Sequence, residues 1–176
     1  MPKGLGWANV TVRGVATVTR EFGTSGPGYL QDESGAIAVF GHEFVSKTIP
    51  GSAFEYEVTG VISFYNGLTE LLPYAVKRLG VKSFPEPQIV TTGELGTNGE
   101  NYEGLLVKVV GATISGQFPS SGNNANISVN DGSGDVTLRI DKDTNIDGTA
   151  TPTGPQDIVC HLYTSPSPRD LARSRM

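Results

Sequence analysis

The sequence predicts an all-β protein built as two small barrels in series. Three observations carry that prediction. Glycine is abundant, at 23 residues, and Val and Thr recur in runs that alternate apolar with polar; nothing is patterned as a long amphipathic helix. A strand–turn–strand phrase is written twice, as YLQDESGAIAVF from Tyr29 to Phe40 and as ISVNDGSGDVTLRI from Ile127 to Ile140. Aligning Gly14 with Gly111 extends the echo upstream and brings Asp32, Ser34 and Gly35 close to Asp131, Ser133 and Gly134. Such a period is too long for a solenoid repeat and suits a pair of domains.

Val10 to Val18 alternates around Arg13 and Gly14, giving a first strand whose interior glycine marks a bulge or bend. TREFGTSGPG is a polar loop. Tyr29 to Gln31 is a short strand, and Asp32 to Gly35 makes the turn: Asp caps it and Gly supplies the permissive backbone. Ala36 to Phe40 is the third strand, with Ile37 and Val39 on one face. GHEFVSKTIPG is a connector with room for a helical turn or two. Phe54, Tyr56 and Val58 then alternate with Glu55, Glu57 and Thr59 in a strand that continues through Ile62. Asn66-Gly67 is a strong hairpin signal, and Leu68 to Val76 closes the set. Five strands, a bend in the first and a connector after the third outline an OB-fold Greek-key barrel over residues 1–81. An SH3-like barrel has the same strand count, but the long first strand and the connector favour the OB-fold.

Residues 82–101, with Pro85, Pro87 and several Gly turns, read as a linker. Gly104 to Ile114 restarts strand one, Ile127–Asn130 and Val136–Ile140 follow, and Asp157 to Val159 begins a fourth strand. The second OB-like barrel, 102–159, is therefore expected to be incomplete, lacking its closing hairpin.

Residues 160–176, CHLYTSPSPRDLARSRM, break the pattern abruptly. The run resembles the in-frame translation of a transposase-type sequencing-library adapter, with Leu171 to Arg173 as the index and Ser174, Arg175 and Met176 as the adapter codons that follow it. It is set aside from fold reasoning as a non-biological scar; a disordered basic tail is the alternative. With it go the only Cys, Cys160, and His161, which leaves His42 as the sole histidine and 10 Lys+Arg against 17 Asp+Glu. Neither terminus is then expected to be natural, and adjoining domains are expected to have been lost.

What remains bears on function class. No apolar run is long enough to span a membrane, so no membrane partner is expected. Two sequons, at Asn9 and Asn126, sit in or beside expected strands and carry no weight. His42 lies beside Glu43 in the connector, and no Ser/His/Asp arrangement or nucleophile elbow is present, so the chain is not expected to be an enzyme.

The order VRG, YLQDxSG and an alternating strand resembles bacterial OB-type nucleic-acid-binding domains, including the anticodon-binding type and accessory domains of secreted nucleases. Pro85, Pro87, VTTGEL (Val90 to Leu95) and YEGLLVKV (Tyr102 to Val109) resemble tandem OB-like modules in large secreted or surface proteins of Bacteroidetes-type bacteria. The likeness covers residues 8–159. It implies a non-catalytic binding or spacer module, secreted or at the cell surface; an OB-fold does not by itself fix a ligand.

OB barrels bind single strands on the outer face of strands two and three, with stacking aromatics and a basic groove. With Leu30, Ile37 and Val39 inward, Tyr29, Gln31, Ala38 and Phe40 are expected outward. Arg20 and Phe22 fall in the first loop, Tyr65 and Asn66 at the hairpin turn, and Arg13 joins from strand one. Alternatively, Tyr29 and Phe40 cover a barrel edge. Charge opposes strong phosphate binding: residues 1–80 carry 6 basic and 7 acidic side chains, and residues 81–159 carry 4 and 10. In the second barrel the outward positions Ser128, Asn130, Thr137 and Arg139 suit a sugar or protein surface slightly better. Single-stranded nucleic acid and carbohydrate both stand as candidate ligands, with adhesion or a spacer role beside them.

No cofactor is expected. Asp143, Asn145 and Asp147, followed by Gly148, match the start of a calcium loop, but Gly154 stands where the bidentate glutamate belongs. A structural Ca²⁺ site and a solvated Asx-turn loop are the two readings.

Overall fold

The apolar alternation of the first half of the chain closes into a barrel in the computed structural model. The structure describes residues 9–19, 22–49, 52–65 and 67–162, and residues 173–175 by backbone alone. The chain divides into two units, 1–85 and 86–176. In the first, the elements are β1 (Asn9–Val18), β2 (Gly28–Gln31), β3 (Ala36–Val39), α1 (His42–Lys47), β4 (Phe54–Tyr65) and β5 (Leu68–Val81). Their order around the barrel is β1-β2-β3-β5-β4, and β4 returns to β1. The β3–β5 pairing is parallel, through Ala38↔Glu70 and Val39↔Leu71; the others are antiparallel. This is the five-stranded OB-fold the sequence predicts.

Strand β1 serves two neighbours. It pairs with β4 from Asn9 to Val15 and with β2 from Val15 to Val18. Gly14 sits at the changeover, where a Cβ would lie 2.6 Å from the Gln31 carbonyl oxygen. Ala16, Leu30, Val39, Phe44, Tyr56, Val58 and Leu71 fill the interior. Helix α1 buries Phe44 and Val45 and brings the Phe44 ring edge-on to Tyr56, with centroids 6.5 Å apart. The Tyr56 hydroxyl accepts a hydrogen bond from the Ile49 amide at 3.1 Å, so this buried aromatic keeps its polar end satisfied. Each fully buried large apolar side chain here stabilises the fold by roughly 1.5–3 kcal/mol.

The second unit contains β6 (Gln88–Ile89), α2 (Thr92–Asn98), a 3₁₀ turn (Gly99–Tyr102), β7 (Leu106–Ser115), β8 (Ala125–Asn130), β9 (Val136–Ile140), β10 (Gln156–His161) and β11 (Arg173–Arg175). Strand β7 pairs antiparallel with β8 and β10, and β8 antiparallel with β9. Strand β11 lies between β9, to which it is parallel, and β10. Strand β6 adds to β7 in parallel. As in β1, β7 changes partner beside a glycine: Leu106 to Ala112 face β10 and Thr113 to Ser115 face β8, with Gly111 at φ +65°.

Two expectations differ from what the structure shows. The segment 82–101 is not a plain linker: from Gln88 onward it forms β6, α2 and the 3₁₀ turn, and Val90 and Leu95 join the second core. A capped two-turn helix with a single buried leucine leaves little periodic signal. The fourth strand does not stop at Val159. Ile158, Cys160 and Leu162 alternate into the core, while the ladder runs on through Val159↔Lys108, Cys160↔Val107 and His161↔Leu106. Backbone pairing carries β10 across the boundary at residue 160.

Candidate functional site

The outer face of β2 and β3 has two different ends. At one, the β1–β2 loop and α1 meet, with the Gly41 amide donating to the Ser25 carbonyl at 2.8 Å. At the other, the Asp32–Gly35 turn leads into β3 where the β4–β5 hairpin leads into β5. Between them the expected stacking platform is closed to solvent. Tyr29 is 0% exposed, Gln31 and Ala38 are buried, and so is every residue from Gly14 to Thr19. The alternation placed Leu30, Ile37 and Val39 correctly toward the interior; Tyr29 and Gln31, on the opposite face, are covered too, because this part of the sheet is buried on both sides. Phe22 is likewise buried. Phe40 and Tyr65 are exposed, Tyr65 at 60%, but they stand at opposite ends of the face. Arg13 projects from β1, and its guanidinium is held by Glu57 through Nε at 2.9 Å and Nη2 at 2.7 Å. Arg20 and Asn66 lie outside the described residues.

The repeated turn has the geometry its sequence implies. Asp32 Oδ1 accepts from the Ser34 amide at 2.7 Å, the Ser34 hydroxyl at 2.6 Å and the Gly35 amide at 3.2 Å. The Ser34 hydroxyl bond is the main cause of the lowered pKa of Asp32. The turn and the neighbouring Val12, Arg13, Leu30, Ala36 and Ile37 line a cleft of about 280 Å³.

A second exposed feature was not singled out in the sequence. Strand β5 runs five residues beyond Val76, and its second half pairs only with β4, since β3 reaches β5 at Glu70 and Leu71 alone. Tyr74, 57% exposed, stands on this half beside Lys77. With Glu43 and Lys47 of α1 and Glu57 and Thr59 of β4, they line a cleft of about 170 Å³. Arg78 stacks its guanidinium 4.7 Å from the Phe54 ring centroid. Arg13, Lys47 and Lys82 are each paired with a glutamate, whereas Lys77 and Arg78 make no ion pair among the described residues. The signal in the sequence was the cluster Lys77, Arg78 and Lys82, the densest in the unit, interleaved with Tyr74, Leu79 and Val81.

Among the described residues the second unit presents no comparable surface. Its described cations are all paired, Lys108 with Asp157, Arg139 with Asp141 and Lys142 with Asp143. Ser128 and Asn130 both donate to Asp135, at 3.0 and 3.1 Å. Around the proposed calcium loop, Asp143 meets Lys142, Asp147 accepts from the Gly122 amide, Ile146 between them is buried, and Asn145 is exposed. Among the described residues no three His, Cys, Asp or Glu side chains gather as a metal site. His42 is exposed at the start of α1, beside Gly23 and Thr24 of the β1–β2 loop.

No family model matches the chain. Its sequence is 30% identical over 150 residues to the endonuclease YhcR of Bacillus subtilis (strain 168); the match covers 78% of this chain and 12% of that protein's length. Among solved structures, the fold is similar to a murine DNA-binding protein bound to double-stranded DNA, at 12% identity and a TM-score of 0.47, covering 95% of this chain and 90% of that one. It is also similar to the Ifi202 HINa domain in complex with 20-bp double-stranded DNA, at 11% identity and a TM-score of 0.40, covering 96% and 95%.

Proposed function

We propose that the chain is a non-catalytic nucleic-acid-binding part of a larger secreted or surface protein, consisting of two OB-like modules in tandem. The first module makes the contact, and it does so through the outer half of β5 rather than through the buried face of β2 and β3. The observation that carries this reading is Lys77, which makes no ion pair among the described residues, beside the exposed Tyr74, with Arg78, likewise without an ion pair there, at the next position of the strand. An aromatic that stacks a base and cations that neutralise phosphates are the two requirements of single-strand binding. From Tyr74 to Lys82 the strand spans about 27 Å at ~3.4 Å per residue, room for a few nucleotides. The match to a short portion of a bacterial endonuclease supports the same reading, with the chain as accessory to a nuclease carried elsewhere in the parent protein.

The test is a fluorescence-anisotropy titration of the whole chain with a labelled single-stranded oligonucleotide and its duplex, at low and at physiological salt. Binding is expected to be tighter to the single strand and to weaken with salt. The double substitution Lys77→Ala/Arg78→Ala should lower the log–log salt slope by about 1.4, at ~0.7 for each phosphate no longer neutralised. Absence of binding at low salt, where electrostatic attraction is strongest, sinks the proposal and leaves carbohydrate binding, adhesion or spacing as the function.

A further inference from the structure

The Asp-x-Ser-Gly turn occurs in both units, but among the described residues only the second copy holds a helix start. In the second unit the turn grips the start of α2. Asp131 Oδ2 accepts from the Thr92 amide at 3.1 Å, and Asp131 Oδ1 from the Thr92 hydroxyl at 2.7 Å. Thr92 Oγ1 accepts in turn from the Asp131 amide at 3.2 Å, and Ser133 Oγ accepts from the Gly93 amide at 2.7 Å. The backbones are close enough that a Cβ on Gly93 would lie 2.7 Å from the Ser133 carbonyl oxygen. Thr91 caps the helix by accepting from the Glu94 amide, and Leu95, one turn on, is buried in a core that includes Val109, Val129 and Val136. Thr-Thr-Gly-Glu-Leu is thus a plug, with a polar head on the turn and an apolar foot behind it.

In the first unit the receptor is present, and no described residue takes the plug's place on it. Asp32 and Ser34 correspond to Asp131 and Ser133, and Val12, Leu30 and Ile37 to Val109, Val129 and Val136. The first turn makes its internal hydrogen bonds, and Asp32 and Ser34 remain exposed. Where the second unit holds Leu95 among buried valines, the first has the 280 Å³ cleft, with Val12 and Ile37 half-exposed. The Thr-Thr-Gly run of residues 91–93 is the one bound in the second unit.

We propose that the cleft beside Asp32 and Ser34 is a docking site for a Thr-Thr-Gly-x-Leu helix start other than that of residues 91–95. Threonine and glycine meet the turn as Thr92 and Gly93 do, and leucine enters between Val12, Leu30 and Ile37. This goes beyond the nucleic-acid reading and does not depend on it, since Lys77, Arg78 and Tyr74 do not line this cleft.

The experiment is NMR titration of the ¹⁵N-labelled whole chain with a capped synthetic peptide of residues 89–98, IVTTGELGTN. Saturable shifts are expected at the amides of Asp32 to Ile37, with a dissociation constant in the millimolar range. A peptide with valine in place of its first glycine should bind at least about tenfold more weakly, because the added side chain meets the turn's backbone. The protein is untouched in that arm, so loss of binding there is not a folding effect. Asp32→Ala in the chain should abolish the shifts as well. Three results overturn the proposal: no shifts up to the peptide's solubility, equal binding of the valine peptide, or shifts confined to Asp131 to Val136.

Discussion

Gly93 and Gly96 lie in the same two-turn helix, yet the space around them predicts opposite responses to alanine. A Cβ on Gly93 would press on the Ser133 carbonyl oxygen at 2.7 Å and on Ser133 Oγ at 3.0 Å. Relief requires α2 to move off the turn, which weakens the Gly93–Ser133 bond and the Thr92–Asp131 pair with it. Gly93→Ala should therefore destabilise the second unit by about 2–3 kcal/mol, the sum of two or three net hydrogen bonds. At Gly96 the nearest atom to a Cβ is Val136 Cγ1 at 3.7 Å, an ordinary contact. There the gain in helix propensity and the loss of unfolded-state entropy dominate, and Gly96→Ala should stabilise by about 0.5–1 kcal/mol. Urea unfolding of the two variants checks both signs; a Gly93→Ala protein as stable as the parent would mean that the turn does not hold the helix.

Among the elements, β2 does not present the solvent-facing side the sequence suggested. Period-2 alternation tells which residues share a face, and it put Leu30, Ile37 and Val39 inward correctly. It cannot tell whether the opposite face meets solvent, because that depends on what packs there from far along the chain. Tyr29, on that opposite face, is fully buried. Tyr29→Ala should then cost about 3–5 kcal/mol of stability, the usual effect of truncating a buried aromatic. The oligonucleotide affinity of the folded fraction should not change. Tyr74→Ala should do the reverse, leaving stability within about 0.5 kcal/mol and weakening single-strand binding by the ~1–3 kcal/mol that one stacked base contributes. Chemical denaturation and anisotropy on the two variants separate the roles; a Tyr29→Ala protein that keeps its stability and loses binding would restore the β2 platform. The barrel itself was legible because its bends and turns have local chemistry: Gly14 at the changeover of β1, Asp32 and Gly35 in the turn, Gly67 at φ +86° in the hairpin. Helix α2 was not, since two glycines in seven residues depress helix propensity, and only the Thr91–Glu94 cap spacing marked its start.

Across the whole molecule, ionisation gives the two units different responses to acid. In the second, burial tends to raise the pKa of Asp131, but bonds from Ser133 and Thr92 overcome it and bring it down to about 2. That contribution is complete above the ordinary value near 3.8 and is lost as pH falls toward 2. Burial holds His161 neutral, lowering its pKa to about 3, so the unfolded chain takes up a proton first and stability declines as pH falls below 6.5. The bond and charge of Lys108 lower Asp157 in the same direction. In the first unit the lowered Asp32 is opposed by Glu70, whose burial raises its pKa, so acid relieves the cost of its buried charge while removing the benefit of Asp32. Acidification from pH 7 to pH 3 should consequently open the second unit well before the first. Hydrogen exchange followed by mass spectrometry, with peptides assigned to residues 9–85 and 86–162, should show protection falling in the second set from about pH 6 downward and holding in the first. His161→Phe, which keeps the volume and removes the titration, should shift the onset toward the Asp131 window below pH 4. If the first unit loses protection at the higher pH, the ionisation of these groups does not set acid stability, and the buried His161 is not the neutral core residue its surroundings require.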